Sequence, residues 1–521
     1  MNVSDLLATS AAAFPEKTAA VYSDNRLSFR QWWERSSALA ERLERLDLPP
    51  GTHVAILFEN SLDYLIIFFA IFKAGLVAVP LDTSLAADKV NFIIKDAEAP
   101  LLFVQGRYRR QLAEIVEGND RLSLLISDKP LSKVIEHIPS ETLAETLEKS
   151  GPIDLPAIPE DIDDDETGAD DLAAIFYTSG STGVSKGVML SHRNLVTNTV
   201  ATVEYLRLTE KDSVMVILPF YYIYGNSLLL THAACGGTLL IDNRFMYPEV
   251  VLDAMEELKA TGFSGVPSHF MILLNNSTFT ERKLEHLRYF TQAGGAMAPE
   301  VIRQLIDAFG QKEIFIMYGQ TEAAPRVTWL PPEKLEEKLG SIGIEVPGVT
   351  VEILDEHGNE VPTDQTGELV VSGPNVMMGY FKQPEETAQV LRGGKLYTGD
   401  LARKDADGYY FITGRRREII KSGGNRVSAK EVEERILEHD KVAEAAVFGV
   451  NDNVLGEAIK AVVVLKDGDS TGVKDIQTHC QKTLAVHKVP KFVSFVDALP
   501  KLQSGKVNKL LLKEQHESGA V

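Results

Sequence analysis

Apolar runs followed by helical patterns recur through about the first 330 residues of the chain. In one of them, Pro299 suits the first position of a helix and Gly310 suits its end. A strand-like run, residues 313–317, follows at once. This alternation predicts α/β layers in this part of the chain. The apolar face of the predicted helix consists of Ile302, Leu305, Ile306 and Phe309.

From about residue 340 the pattern changes to short β-like pieces, such as VEILDEHGNEVP and GELVVSG, separated by Gly and Pro turns. Ser428 and Glu431 then have the spacing of a capping box that opens a helix. The fold class is therefore predicted as α/β. A large N-terminal body of layered sheets with a small β-rich subdomain takes residues 1–414, and a small α+β C-terminal domain takes residues 415–521.

The composition, 44% hydrophobic and 24% charged over 521 residues, is that of an ordinary soluble globular protein. The formal net charge of -21 repels polyanions. We therefore expect neither nucleic acid nor an anionic membrane as a partner. A local basic pocket for a small phosphate is still compatible with this charge.

Targeting and redox signals are weak. The apolar run at residues 65–72 is too short to span a bilayer, and the start of the chain does not resemble a signal peptide. We predict a cytoplasmic protein without an integral membrane segment. Cys235 and Cys480 are too few for a disulfide framework or a thiolate metal site, and both are expected to be buried. The acidic stretch 160–171 is expected to be a solvated linker.

Three segments share one design, an apolar strand that runs straight into a glycine-containing loop. Ligands of open α/β sheets bind beyond the carboxyl ends of strands, so we expect the three loops to converge on one site. The segments are LAAIFY into TSGSTGVSKG (172–187), LRYFTQ into AGGAM (287–297) and EIFIM into YGQTE (313–322).

The first loop combines hydroxyls, glycines and a lysine, which is the chemistry of a phosphate cradle. A flexible surface loop is the structural alternative. The loop is not a Walker A motif, because Gly187 rather than Ser or Thr follows its lysine. The residues predicted to hold phosphate are Thr178, Ser179, Gly180, Ser181, Thr182, Gly183 and Lys186.

The loop resembles the signature of the adenylate-forming superfamily, which includes acyl-CoA synthetases, luciferases and the adenylation domains of peptide synthetases. The resemblance extends over almost the whole chain, and the order of its motifs makes it specific. The further motifs are LPFYYIYG (218–225), AGGAM (293–297), YGQTEA (318–323), GEL (367–369), YTGD (397–400), GRRREIIKSGGNRVSAKEVE (414–433) and LPKLQSGKVNK (499–509).

The resemblance implies an ATP site in the N-terminal domain. The 178–187 loop would hold the β- and γ-phosphates, with Thr178 close to the chemistry. Tyr318 would stack on adenine, and Asp400 would accept hydrogen bonds from the ribose hydroxyls with Arg415 nearby. Glu322 would help to hold Mg²⁺, a cation that suits a carboxylate oxygen. The remaining nucleotide contacts would come from Gly295, Ala296, Gly319, Gln320 and Thr321.

The resemblance also implies a mobile C-terminal domain that turns about Arg417 between two poses. One pose would bring Lys506, the adenylation lysine, to the α-phosphate. The other would form a tunnel for the thiol arm of coenzyme A, lined by Ser422, Gly423 and Gly424. A simple turn is the alternative for these last three residues.

Each polar position has a structural alternative as well. Tyr318 could be a core aromatic, Glu322 a carboxylate at a helix start and Asp400 a turn residue, while Lys506 could be one solvated lysine among several. The ordered set of motifs favours the functional reading over these alternatives.

The predicted acid pocket is apolar and contains small residues, which favours a fatty or other hydrophobic acid. The chain departs from the family pattern at Tyr222, where many acyl-CoA ligases have histidine. LPFYYIYG also lacks the acid that would pair with the ammonium of an amino-acid substrate, so such a substrate is disfavoured. The pocket residues are Tyr221, Tyr222, Gly265, Val266, Gly294 and Met317.

Three functions are compatible with these observations. The first is an acid–CoA ligase that uses ATP, Mg²⁺ and coenzyme A to activate a small-molecule carboxylic acid. The second is a stand-alone enzyme that loads an acyl or aminoacyl group onto the phosphopantetheine arm of an acyl carrier protein. The third, a non-catalytic nucleotide-binding module, is disfavoured because Lys506, Glu322 and Asp400 are all present. The sequence does not predict an oligomeric state.

Overall fold

The structure, a computed structural model, describes residues 1–131, 138–148, 153–156, 168–179, 185–452, 454–466, 468–501 and 507–518. Its strands are β1 (Thr18–Tyr22), β2 (Asn25–Ser28), β3 (His53–Leu57), β4 (Val77–Pro80), β5 (Leu101–Val104), β6 (Leu124–Ser127), β7 (Ser140–Thr142), β8 (Leu172–Ser179), β9 (Ser185–Ser191), β10 (Ser213–Val216), β11 (Thr238–Ile241), β12 (Gly262–Gly265), β13 (Tyr289–Gln292), β14 (Glu313–Gly319), β15 (Arg326–Leu330), β16 (Ile344–Glu345), β17 (Thr350–Leu354), β18 (Gly367–Ser372), β19 (Gly379–Tyr380), β20 (Leu391–Arg392), β21 (Lys395–Lys404), β22 (Tyr410–Arg415), β23 (Ile419–Ser422), β24 (Asn425–Ser428), β25 (Val442–Asp452), β26 (Gly456–Leu465) and β27 (Phe492–Phe495).

The helices pack on these strands and between the sheets. They are α1 (Val3–Ala13), α2 (Phe29–Glu44), α3 (Leu62–Lys73), α4 (Ala87–Asp96), α5 (Leu112–Val116), α6 (Leu143–Glu148), α7 (His192–Tyr205), α8 (Ile223–Cys235), α9 (Pro248–Glu257), α10 (Pro267–Asn276), α11 (Pro299–Phe309), α12 (Pro384–Val390), α13 (Ala429–Leu437), α14 (Val473–Gln481) and α15 (Lys509–Glu517).

Two large sheets form the N-terminal body. One has the strand order β16-β15-β14-β13-β12-β10-β11-β1-β2 and the other the order β19-β9-β8-β4-β3-β5-β6-β7. The central strands of both sheets are parallel. Antiparallel strands close both edges of the first sheet and the β19 edge of the second, while β7 closes the other edge in parallel with β6. This is the arrangement expected when strands alternate with crossover helices.

The apolar run at residues 65–72 is a buried core helix. It forms most of α3, and every residue from Tyr64 to Phe72 has at most 1% of its surface exposed. The indole nitrogen of Trp32 donates to the carbonyl of Leu65 at 3.0 Å, which joins α2 to α3. No helix among the described residues is both long enough and apolar enough to cross a membrane.

The helix predicted at 299–310 is confirmed as α11, with Pro299 at its first position and Gly310 directly after its end. Ile302, Leu305 and Phe309 are buried, and Ile306 packs partly buried against the same core. The strand that follows is β14, which continues two residues beyond the predicted run, to Gly319.

The β-rich texture after residue 340 corresponds to a third sheet, in which β17, β18, β21 and β20 are neighbours and β22 pairs with β21. A fourth sheet contains only β23 to β27, and its two apolar clusters use residues between 420 and 512. The predicted fold class is thus confirmed. The boundary between residues 414 and 415 stays a prediction.

Smaller expectations have mixed outcomes. Ser428 caps α13 by accepting a hydrogen bond from the backbone nitrogen of Glu431.

Cys480 is buried as expected, but Cys235 is only partly buried, because it lies in the last turn of α8 near the surface. Burial raises the pKa of the Cys235 thiol to about 12 and that of Cys480 to about 11, so both are thiols at neutral pH. Most of the acidic stretch, residues 160–167, lies outside the described residues.

Candidate active site

The three predicted loops leave strands of both large sheets. β13 and β14 are parallel neighbours, and β8 belongs to the other sheet. The segment 376–381 connects the two: the backbone nitrogen of Met377 donates to the carbonyl of Glu322 at 2.9 Å, and that of Met378 donates to the carbonyl of Met189 at 3.0 Å. The turn after β14 and the hairpin formed by β8 and β9 are therefore held side by side.

That hairpin holds the two ends of the glycine-rich loop. Thr178 pairs with Lys186 and Ser179 with Ser185 across the antiparallel strands. The hydroxyl of Thr178 donates to the carbonyl of Lys186 at 3.4 Å. Gly180, Ser181, Thr182 and Gly183 lie outside the described residues. Their predicted contact with phosphate stays a prediction.

A chain of contacts connects the loop lysine to the carboxylate predicted to hold Mg²⁺. Lys186, with 12% of its side chain exposed, forms an ion pair with Glu386 in the first turn of α12. Its Nζ also lies 5.0 Å from the centre of the Tyr380 ring, within the range of a cation–π contact. The hydroxyl of Tyr380 donates to Oε1 of Glu322 at 2.8 Å. We name this set, Lys186, Tyr380, Glu322 and Glu386, the lysine–glutamate cluster.

Sequence alone offers little reason to single out Tyr380 and Glu386. They lie in the segment GYFKQPEE, between the GEL and YTGD motifs, and a Gly-Tyr pair is a common sequence. The signal available in the sequence is the glycine at 379. In the structure its φ of +143° disfavours other residues, and an added Cβ would lie 2.9 Å from a methyl group of Thr387. That signal predicts a constrained turn and does not identify the tyrosine after it.

We expect Tyr380→Phe to raise the KM for ATP by about tenfold and to increase the concentration of Mg²⁺ needed for half-maximal rate, because Glu322 loses a charge-assisted hydrogen bond. Steady-state kinetics at several fixed Mg²⁺ concentrations measure both quantities. Tyr409→Phe is the matched control, since that ring faces Lys338 and lies outside the motifs. An unchanged KM for ATP together with an unchanged Mg²⁺ requirement would contradict the role of Tyr380.

A second cluster surrounds Asp400, which is 3% exposed. The hydroxyl of Tyr318 donates to its Oδ2 at 2.6 Å, and Nε of Arg415 lies 2.7 Å from its Oδ1. The register of the third sheet places Asp400 in β21 directly opposite Arg415 in β22. We name these three residues the aspartate cluster. Asp400 is therefore a buried strand residue, not an exposed turn residue.

Electrostatics in the aspartate cluster favour a neutral Tyr318 and a charged Arg415. Burial, followed by the charge of Asp400, raises the pKa of Tyr318 well above its usual value, so its hydroxyl donates at neutral pH. The negative charge of Asp400 likewise raises the pKa of Arg415. A carboxylate has about four lone-pair sites, so Asp400 can accept further hydrogen bonds beside these two.

The backbone around Tyr318 and the AGGAM loop is tightly held. The carbonyl of Gly295 accepts a hydrogen bond from Nε2 of Gln292 at 2.8 Å, and Ala296 follows it in the same loop. The nitrogen of Gln320 donates to the carbonyl of Pro325 at 3.0 Å. A Cβ at Gly319 would lie 1.8 Å from that carbonyl oxygen, so only glycine fits there. Thr321 begins the short turn that carries Glu322.

At one end of the predicted acid pocket the rings of Tyr221 and Tyr222 lie 4.8 Å apart. The hydroxyl of Tyr222 donates to Oδ2 of Asp82 at 2.9 Å. Burial, together with the charge of Asp82, raises the pKa of both tyrosines, so they are neutral donors. An acid therefore does lie beside Tyr222. Reading LPFYYIYG alone misses it, because Asp82 follows β4 in the other large sheet.

The inner part of the predicted pocket lies between α8, α10 and the AGGAM loop. Gly294 has a φ of +84°, and a Cβ there would lie 3.1 Å from Cγ1 of Val266 and 4.0 Å from the Tyr224 ring. A Cβ at Gly265 would lie 3.1 Å from the Phe270 ring. A larger residue would therefore crowd Val266 at position 294 and Phe270 at position 265. The sulfur of Met317 accepts a hydrogen bond from the hydroxyl of Tyr205 at 3.0 Å.

The predicted thiol tunnel and lysine are only partly described. Ser422 pairs with Asn425 at the end of the β23–β24 hairpin, so Gly423 and Gly424 form its two-residue turn, with φ of +56° and +81°. This turn requires glycine or a similar residue whether or not a thiol arm passes it. Lys506 lies outside the described residues.

Comparison with known proteins shows the family to which the chain belongs. A model of the AMP-binding enzyme family matches residues 7–381, and a model of the AMP-binding enzyme C-terminal domain matches residues 431–506. The long-chain-fatty-acid–CoA ligase of Yersinia pestis is 32% identical over 537 aligned residues, which cover 98% of this chain and 94% of that protein.

Two solved structures are similar over the whole chain. ATP-bound MatB from Rhodopseudomonas palustris is 30% identical, with a TM-score of 0.87 over 100% of both chains. The anthranilate CoA ligase AuaEII, in complex with anthranoyl-AMP, is 25% identical, with a TM-score of 0.88 over 100% of this chain and 98% of that chain.

The fold, the motif-bearing loops and these similarities define an adenylate-forming enzyme. The chain belongs to the AMP-binding enzyme family and is an AMP-forming ligase of the acyl-CoA synthetase type. It uses ATP to convert a carboxylic acid into an acyl-adenylate and transfers the acyl group to coenzyme A.

Proposed function

We propose that this enzyme activates an acid with an apolar body, and that the aspartate cluster and the lysine–glutamate cluster together bind ATP. The observation that carries the proposal is the buried carboxylate of Asp400, fixed by Tyr318 and Arg415 beside the motif-bearing turn after β14. Its remaining lone pairs suit the two hydroxyls of a ribose. Tyr318 would then lie at the purine, as the resemblance implies.

The lysine–glutamate cluster would serve the phosphate end of the nucleotide. Adenylation brings a carboxylate and a triphosphate together, so positioned cations and donors lower the barrier most where negative charge gathers. In the described structure Lys186 is paired with Glu386, and a bound triphosphate would compete with that carboxylate for the ammonium. Thr178 and the rest of the 178–187 loop would contribute hydroxyl and backbone donors.

The donor set fits Mg²⁺ only with the help of the substrate. The described residues contain no group of three or more His, Cys, Asp or Glu side chains that could hold a metal by themselves. Glu322 offers one carboxylate, with Tyr380 orienting one of its oxygens. Mg²⁺ is commonly held by one or two carboxylates together with phosphates and waters, so Glu322 suits an ion that arrives with ATP. The ion would neutralise phosphate charge there.

The apolar body of the acid is proposed from the pocket lining. Val266 and Met317 are buried and apolar, and a larger residue at 265 or 294 would crowd Phe270 or Val266. Burial of a hydrocarbon chain against such a lining is favourable in proportion to the apolar area removed from water. A fatty acid or another hydrophobic acid fits this lining.

The test is a panel of carboxylic acids assayed for AMP release with ATP and Mg²⁺, with and without coenzyme A. We expect acid-dependent AMP release that coenzyme A stimulates, with acyl-CoA as the product. The same panel with a phosphopantetheinylated carrier protein in place of coenzyme A tests the alternative acceptor. Faster transfer to the carrier would overturn the assignment of coenzyme A as the acceptor. Nucleotide binding without acid-dependent pyrophosphate exchange would overturn the catalytic proposal itself.

A further inference from the structure

Arg326 is a deeply buried arginine of the N-terminal body. It begins β15, four residues after Glu322, and only 2% of its surface is exposed. Among the described residues no carboxylate forms an ion pair with it, and its Nε has no hydrogen-bond partner. One long hydrogen bond, 3.4 Å, runs from Nη2 to the hydroxyl of Ser227. A buried charge is unfavourable unless an opposite charge or strong acceptors compensate it.

The other partly buried arginines of the N-terminal body are compensated by carboxylates. Arg288 pairs with Asp212 at 3.0 Å and with Glu313 at 2.8 Å. Arg282 contacts three carboxylates, the longest of these distances being 2.9 Å. Arg326 is more deeply buried than either of them and has none. Its environment therefore lacks the group that this fold supplies to comparable arginines.

The guanidinium of Arg326 lies against the inner wall of the proposed acid pocket. Its Cζ is 4.1 Å from the centre of the Tyr224 ring, so one face of that ring covers it. The edge of the same ring is next to Gly294, and the Tyr224 hydroxyl bonds to Thr291 at 3.0 Å. Burial raises the pKa of Tyr205 to about 12, and the nearby charge of Arg326 opposes part of that rise. The Tyr205 hydroxyl bonds to Met317. The guanidinium thus lies among residues that border the pocket.

The backbone fixes Arg326 in this place. Its backbone nitrogen donates to Oδ1 of Asn198 at 3.1 Å. Its carbonyl accepts hydrogen bonds from Nδ2 of Asn198 at 2.8 Å and from Nδ2 of Asn375 at 3.2 Å. Gly319 pairs with it across β14 and β15. The backbone that carries the guanidinium therefore needs no reorganisation when a ligand binds.

We propose that Arg326 binds an anionic group of the acid substrate, remote from the carboxylate that reacts, so that the substrates are dicarboxylic acids with an apolar spacer. A guanidinium presents a planar fork of donors that matches a carboxylate, and a cation–π contact leaves that fork available. The inference rests on the proposed function, since it assigns the second end of the same pocket. It replaces a plain fatty acid by one that carries a distal carboxylate.

The test uses the full-length enzyme and matched acids. Unbranched monocarboxylic acids are compared with α,ω-dicarboxylic acids of the same chain length, and with the corresponding ω-amides, by AMP release in the presence of coenzyme A. We expect kcat/KM for the best diacid to exceed that of its monoacid by at least about 100-fold, because an acid without the distal charge leaves Arg326 unpaired. The ω-amide is expected to behave like the monoacid.

Substitution of Arg326 distinguishes binding from a structural role. Arg326→Met is expected to bring the diacid-to-monoacid ratio to about one or below by loss of diacid activity, while monoacid activity is kept or increased. Arg326→Lys is expected to retain part of the preference. Arg288→Met is the matched control, because it removes a paired arginine outside the pocket and should leave the ratio unchanged.

The outcomes separate this inference from the proposed function. Monoacids used as well as diacids by the wild-type enzyme would overturn the inference alone, and so would an equal loss with both series in Arg326→Met. Absence of turnover with every acid of both series would overturn the proposed function and the inference together. If Arg326→Met fails to fold, the wild-type ratio and the Arg326→Lys variant still decide the question.

Discussion

Replacing Asp400 with Ala is expected to lower acid-dependent ATP–pyrophosphate exchange by at least about 100-fold at sub-saturating ATP, because each lost hydrogen bond to a charged group costs about 1.5–3 kcal/mol and a ribose offers two hydroxyls. The loss should appear mainly as a higher KM for ATP, since the ribose takes no part in bond making. The removal also leaves Arg415 without its ion pair and Tyr318 without its acceptor. Steady-state exchange kinetics measure the two parameters separately.

Two further variants make this result interpretable. Asp400→Asn keeps the shape of the side chain and an acceptor for Tyr318 but removes the charge, so we expect a smaller rise of the KM for ATP. Asp364→Ala is the matched control, because its ion pair with Arg403 lies exposed on the same part of the chain. If Asp364→Ala and Asp400→Ala raised the KM for ATP equally, the ribose assignment of Asp400 would be wrong. Thermal melting of each variant shows whether a loss reflects unfolding.

The elements that bear the motifs could be predicted because their signals are local. The apolar runs before TSG, AGGAM and YGQTE are β8, β13 and β14 in the structure. The helix at 299–310 can be predicted from the spacing of its apolar residues and from the proline and glycine at its ends. These predictions depend on residues within one or two turns of each other. Predicting these elements therefore requires no knowledge of the tertiary packing.

The contacts that complete the site could not be predicted in this way. Tyr222 meets Asp82 across 140 positions of the chain, and Tyr380 meets Glu322 across 58. Nothing in a single sequence without relatives indicates which distant side chains share a sheet edge. Arg326 could not be predicted for a different reason. A lone arginine after a motif is ordinarily solvated, and only the three-dimensional structure shows that this one is buried and has no carboxylate partner among the described residues.

The two clusters have different relations to the mobile domain that the family resemblance implies. Tyr318 and Asp400 belong to the N-terminal body and the third sheet, while Arg415 is the last residue of β22, next to the start of the fourth sheet. The ion pair between Arg415 and Asp400 thus joins the proposed nucleotide site to the segment that leads into the C-terminal domain. The lysine–glutamate cluster lies wholly before residue 390, so it can keep its geometry in either pose.

Lys506→Ala is expected to slow acyl-adenylate formation by at least about 100-fold, whereas thioester formation from supplied acyl-adenylate should fall by less than about threefold. The reason is that a single donor at a developing charge contributes on the order of 2.7–4 kcal/mol, and only in the step where that charge develops. Adenylation concentrates negative charge at the α-phosphate, whereas thiol attack on the acyl carbon expels AMP and no longer needs the lysine there. Pyrophosphate exchange measures the first step. Acyl-CoA formed from synthetic acyl-AMP and coenzyme A measures the second.

The matched control is a nearby lysine whose removal should affect neither of the two steps. Lys501 serves, since it forms a 2.8 Å ion pair with Glu444 and lies five positions before Lys506. Lys501→Ala should leave both steps within about twofold of the wild-type rates, as expected for loss of a mostly surface ion pair. A Lys506→Ala variant that loses both steps equally would mean that one pose serves both reactions. Loss of neither step would remove Lys506 from the adenylation site.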